Sequence, residues 1–233
     1  LDMMGRQLDL LQAVYNTGKP VILVLVDGRA VSMNWANKYI KGIVQASFPG
    51  EFLGTSIAEV LFGDYNPGGK LTVTYPKSVG QIPFAFPFKP GSDTNGPVRV
   101  SGALYPFGYG LSYTTFDYSD FIVSQTTGDV MTDVNVSLKV TKTGKREGDE
   151  VVQLYLNDEV SSVTTYTQVL RGFDRVSLKP GETKEVKFTL TSQDLGLWNR
   201  HNEFVVESGF FEVRVGASSQ DIKLKERFEI VNK

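Results

Sequence analysis

Carboxylates are the groups through which this chain could do chemistry, because the alternatives are scarce. The 233 residues contain no cysteine and a single histidine, His201. Thiolate nucleophiles, disulfides and histidine or cysteine metal clusters are excluded within the chain, and any Ser-His-Asp triad would have to use His201. Asp27 and Arg29 stand at the end of an apolar run, where α/β sheets place their sites. Glu51 follows Pro49-Gly50, and Asp64 and Asn66 lie beside Pro67-Gly68-Gly69. Chemistry in which this chain takes part runs on such carboxylates or lies outside it.

Each candidate also has a purely structural reading, and that reading is favoured. Glu51 is read as a carboxylate at a helix N-terminus, where the helix dipole favours negative charge. Asp64 and Asn66 are read as turn residues bonding their own backbone. Asp27 and Arg29 are read as a local turn or ion pair. The aromatics from Phe84 to Phe88 and from Tyr105 to Tyr113 could stack on sugars. Their first role is to anchor a long segment without periodicity. His201, close behind Trp198, belongs in a surface loop. Asn135-Val136-Ser137 matches a glycosylation sequon but falls inside a predicted strand. Lys145-Arg146 beside Glu147, Asp149 and Glu150 reads as a solvated charge cluster. No glycine motif of the phosphate-binding kind opens a helix after a strand.

The elements that position these residues change character along the chain. Met4, Leu8, Leu11 and Tyr15 recur at helical spacing, and Gly18 and Pro20 supply a stop. Val21 to Val26 is apolar without alternation, as in a parallel strand covered on both faces. Trp35, Tyr39, Ile43 and Val44 predict a second helix. Residues 52–62 predict a third, with Leu53, Ile57, Val60 and Leu61 facing inward and Gly63 as a left-handed C-terminal cap. Leu71, Val73 and Tyr75 alternate with Thr72 and Thr74 and predict a half-buried strand. Residues 76–112 read as ordered loop.

From about Thr114 the pattern is strands alone. Val134, Val136, Leu138 and Val140 alternate with polar residues, as do Val152, Leu154 and Leu156. Further strands are predicted at 186–190, 204–206, 211–215 and 222–230. Turn signals separate them, such as Lys179-Pro180-Gly181-Glu182. Short strands at this spacing imply a β-sandwich of immunoglobulin or fibronectin type III kind. The fold class is therefore α/β plus all-β, divided at residues 1–113 and 114–233. The net charge of −2 leaves no basic surplus for a nucleic-acid partner. No run approaches the roughly 18 apolar residues of a membrane span. No signal peptide is visible, but Leu1 is not a natural start, so a removed targeting segment remains open.

Three glycine-rich signatures in fixed order carry a family resemblance. They are Pro49-Gly50-Glu51 with Gly54, then Gly63-Asp64-Tyr65-Asn66-Pro67-Gly68-Gly69-Lys70-Leu71, then Tyr105-Pro106-Phe107-Gly108-Tyr109-Gly110-Leu111-Ser112-Tyr113-Thr114-Thr115-Phe116. Leu1-Asp2-Met3-Met4-Gly5-Arg6-Gln7 adds a fourth, with Met4 where proline is common. The run Lys142 to Tyr155 and the segments Leu170 to Val176 and Leu178 to Thr183 add the β-rich half, with Lys142 where asparagine is common. Together they resemble the C-terminal half of glycoside hydrolase family 3, of the β-glucosidase and β-xylosidase kind.

The resemblance implies a retaining exo-β-glycosidase acting on oligosaccharides or glycosides, β-glucosidase before β-xylosidase. It places the nucleophilic aspartate in an N-terminal barrel and the general acid/base glutamate a few residues before Leu1. No catalytic, cofactor-binding or metal residue is then expected in this chain, and the chain alone is expected to be inactive. Its expected partners are that barrel, the remainder of the α/β sandwich domain and the glycoside substrate. Homo-oligomerisation stays open, and the implied location is secreted or periplasmic. The competing interpretation is a non-catalytic carbohydrate-binding or structural β-sandwich module.

Overall fold

The structure is a computed structural model describing residues 1–92, 94–95, 100–124, 127–129 and 133–231. The chain forms two compact units. One comprises Leu1–Tyr65, Val73–Ala85 and Thr94–Pro106, the other Asn66–Thr72, Phe86–Asp93 and Phe107–Lys233.

The first unit begins with helix α1, Gln7–Tyr15, followed by strand β1, Ile22–Leu25. Helix α2, Asn34–Tyr39, leads to strand β2, Gly42–Gln45, which pairs with β1 in parallel. Ile43 and Val44 therefore lie on a strand and not on the predicted helix. Their spacing from Trp35 and Tyr39 fits a helix by coincidence. Ile40 already has extended backbone, Gly42 disfavours continuing the helix, and the two β-branched residues after it favour a strand. Helix α3, Leu53–Phe62, closes with Gly63 in the left-handed conformation at φ 83°, as predicted.

Leu11, Val31, Met33, Ala36, Ile40, Tyr75 and Phe84 make the buried hydrophobic set of this unit. Outside that set much apolar surface is open. Met4, Leu10, Phe48, Phe52 and Phe62 are each about two-thirds exposed or more. The run predicted to be covered on both faces has only β2 beside it among the described residues, and Ile22 and Val26 are half-exposed.

Leu71 to Tyr75 does not form the predicted strand. Leu71 exchanges backbone bonds with Tyr109 and Gly108, and Tyr75 with Tyr105 and Leu104, but nothing regular runs between. The facing stretch contains Pro106, which has no N–H, and Gly108 at φ 78°, so a ladder cannot propagate. A short 3-10 helix at Val79–Gln81 follows, capped by Ser78. Strands β3, Thr94–Asn95, and β4, Val100–Ser101, pair antiparallel. Residues 93 and 96–99 of the predicted ordered loop lie outside the described residues.

The second unit is a sandwich of two sheets. Strand β5 is Phe116–Val123, β6 Thr127–Asp129, β7 Val134–Lys142, β8 Gly148–Asp158, β9 Val169–Leu178 and β10 Thr183–Leu190. The single turn α4, Ser192–Leu195, precedes the short pair β11, Leu197–Trp198, and β12, Phe204–Val205. Strands β13, Gly209–Gly216, and β14, Ile222–Val231, complete the unit. One sheet has the order β10-β7-β5, the other β6-β14-β13-β8-β9.

The valines and leucine of β7 read in the sequence as one face are buried, and they meet Val152, Leu154, Val213, Val215 and Phe228 in a single core. Each fully buried aliphatic side chain contributes about 1.5–3 kcal/mol, which suffices to hold two sheets without a disulfide. Strand β9 was visible in the sequence only as a family motif, because its inward positions are diluted by Arg171, Asp174 and Arg175.

Candidate functional site

In the first unit the chain's opening residues are tied down against the segment that follows β1, at Arg29 and Ser32. The backbone N–H of Ser32 donates to the Leu1 carbonyl at 3.0 Å, and Asp2 and Ser32 form a parallel bridge. Arg29 adds a fork. Its Nη1 donates to the Leu1 carbonyl at 3.1 Å and its Nη2 to the Asp2 carbonyl at 3.3 Å. Nη1 also reaches Ala30 O at 3.4 Å, which fixes the guanidinium to its own segment. Val31, Ser32 and Met33 are buried, so the receiving backbone is the firm part of the unit.

Arg29 thus makes no ion pair with Asp27. Asp27 instead accepts from Gln45 Nε2 at 2.8 Å, linking the ends of β1 and β2. Nothing in the spacing of Arg29 announces carbonyl partners 27 and 28 positions away. Only its place after the apolar run could have drawn attention to it. Ser32 was not noticed in the sequence, and its buried hydroxyl has no hydrogen-bond partner among the described residues.

Glu51 lies in a 3-10 turn, Gly50–Phe52, that leads into α3, and is exposed, close to the helix N-terminal place read for it. Asn66 departs from expectation. Its side chain does not bond its own turn. Nδ2 donates to Glu147 O at 3.1 Å, while Oδ1 accepts from Ser112 Oγ at 3.0 Å and from Tyr113 N at 2.8 Å. A short amide bonds its own turn when that turn is solvated. Here strand β8's entry and the 112–113 backbone stand within reach and present complementary groups.

The glycine-rich signatures of the second unit are packing devices. A Cβ on Gly68 would come within 2.9 Å of Asp149 Cβ, and one on Gly110 within 2.3 Å of the Gly69 carbonyl. Lys70 pairs with Glu150 at 3.2 Å, with both side chains largely buried. Asp149 is held by Ser177 and by the Arg175 guanidinium. Burial, the largest single influence, raises its pKa, but these partners together outweigh it and hold the carboxyl below the usual range.

The loop aromatics act as anchors. Phe86 stacks on Phe107 at 4.6 Å and meets Tyr155 edge-on at 5.7 Å. Gln153 Nε2 donates to the carbonyls of Gly108 and Ala217, and Tyr155 Oη donates to Gln153 Oε1. The outer face of β8 is therefore sealed at Gln153 and Tyr155 by Phe86, Phe107 and Gly108 of the same unit.

The remaining candidates stay apart. His201 is exposed in the turn between β11 and β12. Asn135 faces outward on β7 and accepts from Thr189 Oγ1. Lys145 and Arg146 lie in the exposed turn between β7 and β8. Asp158 is a carboxyl pushed up by burial and by nearby Glu207, but bonds from Val160 and Ser161 hold it as a loop tie. Among the described residues no group of three metal-ligating side chains is assembled, and no helix is long and apolar enough to cross a membrane.

Comparison with known proteins matches two stretches of the chain. Residues 1–113 match the glycosyl hydrolase family 3 C-terminal domain, and residues 150–219 match a fibronectin type III-like domain. A β-xylosidase of Formosa agariphila is 44% identical over 97% of this chain and 32% of its own length. A periplasmic β-glucosidase of Salmonella typhimurium is 42% identical over 93% of this chain and 30% of its own. A β-glucosidase structure from Erythrobacter marinus superimposes with TM-score 0.94 at 37% identity, over 99% of this chain and 31% of that one. The chain spans about a third of the length of the relatives it matches.

Proposed function

We propose, from the premise that the chain belongs to glycosyl hydrolase family 3 and carries its C-terminal domain followed by a fibronectin type III-like domain, that it is the non-catalytic part of a retaining β-glycosidase. The intact enzyme removes terminal β-linked sugars, glucose before xylose, from oligosaccharides or glycosides. One observation carries this: the likeness covers nearly all of the chain yet accounts for only about a third of each relative.

Retaining hydrolysis needs two carboxyl groups about 5 Å apart, one attacking the anomeric carbon and one serving as acid and then base. Both belong upstream of Leu1, the acid/base a few residues away and the nucleophile in an N-terminal barrel. The division that goes with this function falls between residues 113 and 114. Residues 1–113 hold the acid/base segment, and the fibronectin type III-like part gives structural support. No residue of this chain is assigned a catalytic, cofactor or metal role.

The partners are the barrel and the remainder of the α/β sandwich domain. They cover the apolar side chains left open around Met4, Leu10, Phe48, Phe52 and Phe62. The enzyme works outside the cytoplasm, secreted or periplasmic.

The test is hydrolysis of aryl β-glucosides and β-xylosides by the full-length protein and by this chain alone, with native mass spectrometry of both. Hydrolysis by the full-length protein and none by the isolated chain is expected. A soluble chain that binds oligosaccharides unaided, from a full-length protein inert toward aryl glycosides, would replace the enzyme with a binding module.

A further inference from the structure

We infer that Arg29 is a positioning residue for the general acid/base, acting through the backbone of Leu1 and Asp2. The inference rests on the assignment of this chain to a retaining β-glycosidase.

The Leu1 carbonyl accepts two bonds, from Ser32 N and Arg29 Nη1, and the Asp2 carbonyl a third, from Arg29 Nη2. Three bonds onto two successive carbonyls are more than a chain segment needs merely to pass by. Ser32 N belongs to buried backbone. Among the described residues Arg29 is the only side chain on these carbonyls, and its third contact, to Ala30 O, keeps the fork from swinging away. A guanidinium can span two acceptors with a rigid planar fork, and an ammonium cannot.

Whatever the chain carries just before Leu1 inherits this registration. In retaining hydrolysis that carboxyl gives its proton to the departing glycosidic oxygen in the first step. It takes a proton from water in the second. Both transfers require hydrogen-bond distance, and a displacement of about 1 Å costs about 100-fold in rate. Losing the fork leaves Leu1 held by Ser32 alone and Asp2 by none of these side-chain bonds.

The experiment uses the full-length protein with Arg29→Met and Arg29→Lys. Two substrates are compared: a phenyl β-glycoside, whose leaving oxygen needs the proton, and a dinitrophenyl β-glycoside, whose leaving group departs without it. Misplacement of the acid should lower kcat/KM on the phenyl substrate by about 10- to 100-fold, with the dinitrophenyl value within about twofold. Azide should accelerate dinitrophenyl glycoside turnover by the variants and yield glycosyl azide, because it needs no base to attack the glycosyl-enzyme.

The ratio of the two rates on one preparation cancels the fraction folded, so a poorly folding variant still reports. Arg29→Lys, which keeps the charge but not the fork, should show the same selectivity in weaker form. Equal losses on both substrates, or no loss on either, would overturn the role of Arg29 while leaving the glycosidase intact. A wild-type protein inert toward both glycosides would overturn the underlying function and the inference with it.

Discussion

Replacing Asn66 by alanine tests how the sandwich unit is fastened. The side chain makes three hydrogen bonds, to Glu147 O, Ser112 Oγ and Tyr113 N, spanning 81, 46 and 47 positions of sequence. A net hydrogen bond contributes about 1 kcal/mol. Glu147 O and Tyr113 N can recover water, since both residues are exposed, so the loss stays near about 2–3 kcal/mol and not higher. For a unit of this size each kcal/mol moves the melting temperature by about 2–4 °C, giving a drop of about 4–12 °C.

The assay is calorimetry of the full-length protein, with amide hydrogen exchange at Tyr113 as the local readout. Asn66→Asp keeps both acceptor bonds but turns the donor to Glu147 O into a carboxylate oxygen facing that carbonyl, so it should cost at least about 1 kcal/mol while leaving the Tyr113 amide protected. Melting of Asn66→Ala within about 1 °C of wild type, with unchanged exchange at Tyr113, would show Asn66 to be an ordinary solvated turn residue.

Other outcomes follow from the same packing. Gly110→Ala drives a Cβ against the Gly69 carbonyl, a backbone atom that cannot rotate aside, and should cost about 2–4 kcal/mol in denaturant melts. Tyr155→Phe strands Gln153 Oε1 in a buried place and should cost about 1–3 kcal/mol by the same measurement. Burial raises the pKa of Tyr75 to about 12, helped by Asp27, and burial raises those of Tyr118 and Tyr155 as well. A raised folded pKa adds stability below the unfolded value near 10, and that stability is lost as pH rises through the folded value. Ultraviolet titration should then show these three phenols ionising only together with unfolding. Lys142, 1% exposed at the end of β7, has its pKa lowered by burial, so its charged form disfavours folding below that value. Lys142→Met removes that penalty but also the Nζ bonds to Thr114 Oγ1 and Gly144 O, so the two effects oppose at pH 7, and its melting temperature relative to wild type should fall as pH rises toward the ordinary lysine value.

Much of the fold was legible because it depends on local spacing. Val134 to Val140 alternate, and only a strand with one buried face satisfies that pattern. Gly63 follows an apolar helical stripe, and a left-handed cap is what glycine supplies there. The failures came where two readings share one spacing. Ile43 and Val44 fit a helix begun at Trp35 as well as a strand beside Val24, and the parallel partner decided for the strand. Leu71 to Tyr75 alternates, but its neighbour cannot offer a continuous ladder past Pro106. Asn66 and Arg29 were misread for a different reason. Their partners lie far away in sequence, and no local pattern records them.

The sandwich unit takes Asn66–Thr72 and Phe86–Asp93 as well as the stretch from Phe107 onward, so the chain changes unit after residues 65, 72, 85, 93 and 106. That ordering bears on inheritance. A gene segment encoding only residues 114–233, spliced behind a foreign partner, would arrive without Asn66, Lys70, Phe86, Phe107 and Gly108, which seal β8 and brace its entry. The module is therefore poorly suited to free shuffling. Productive recombination should favour breakpoints upstream of Asn66, so that the two halves descend together as one heritable block.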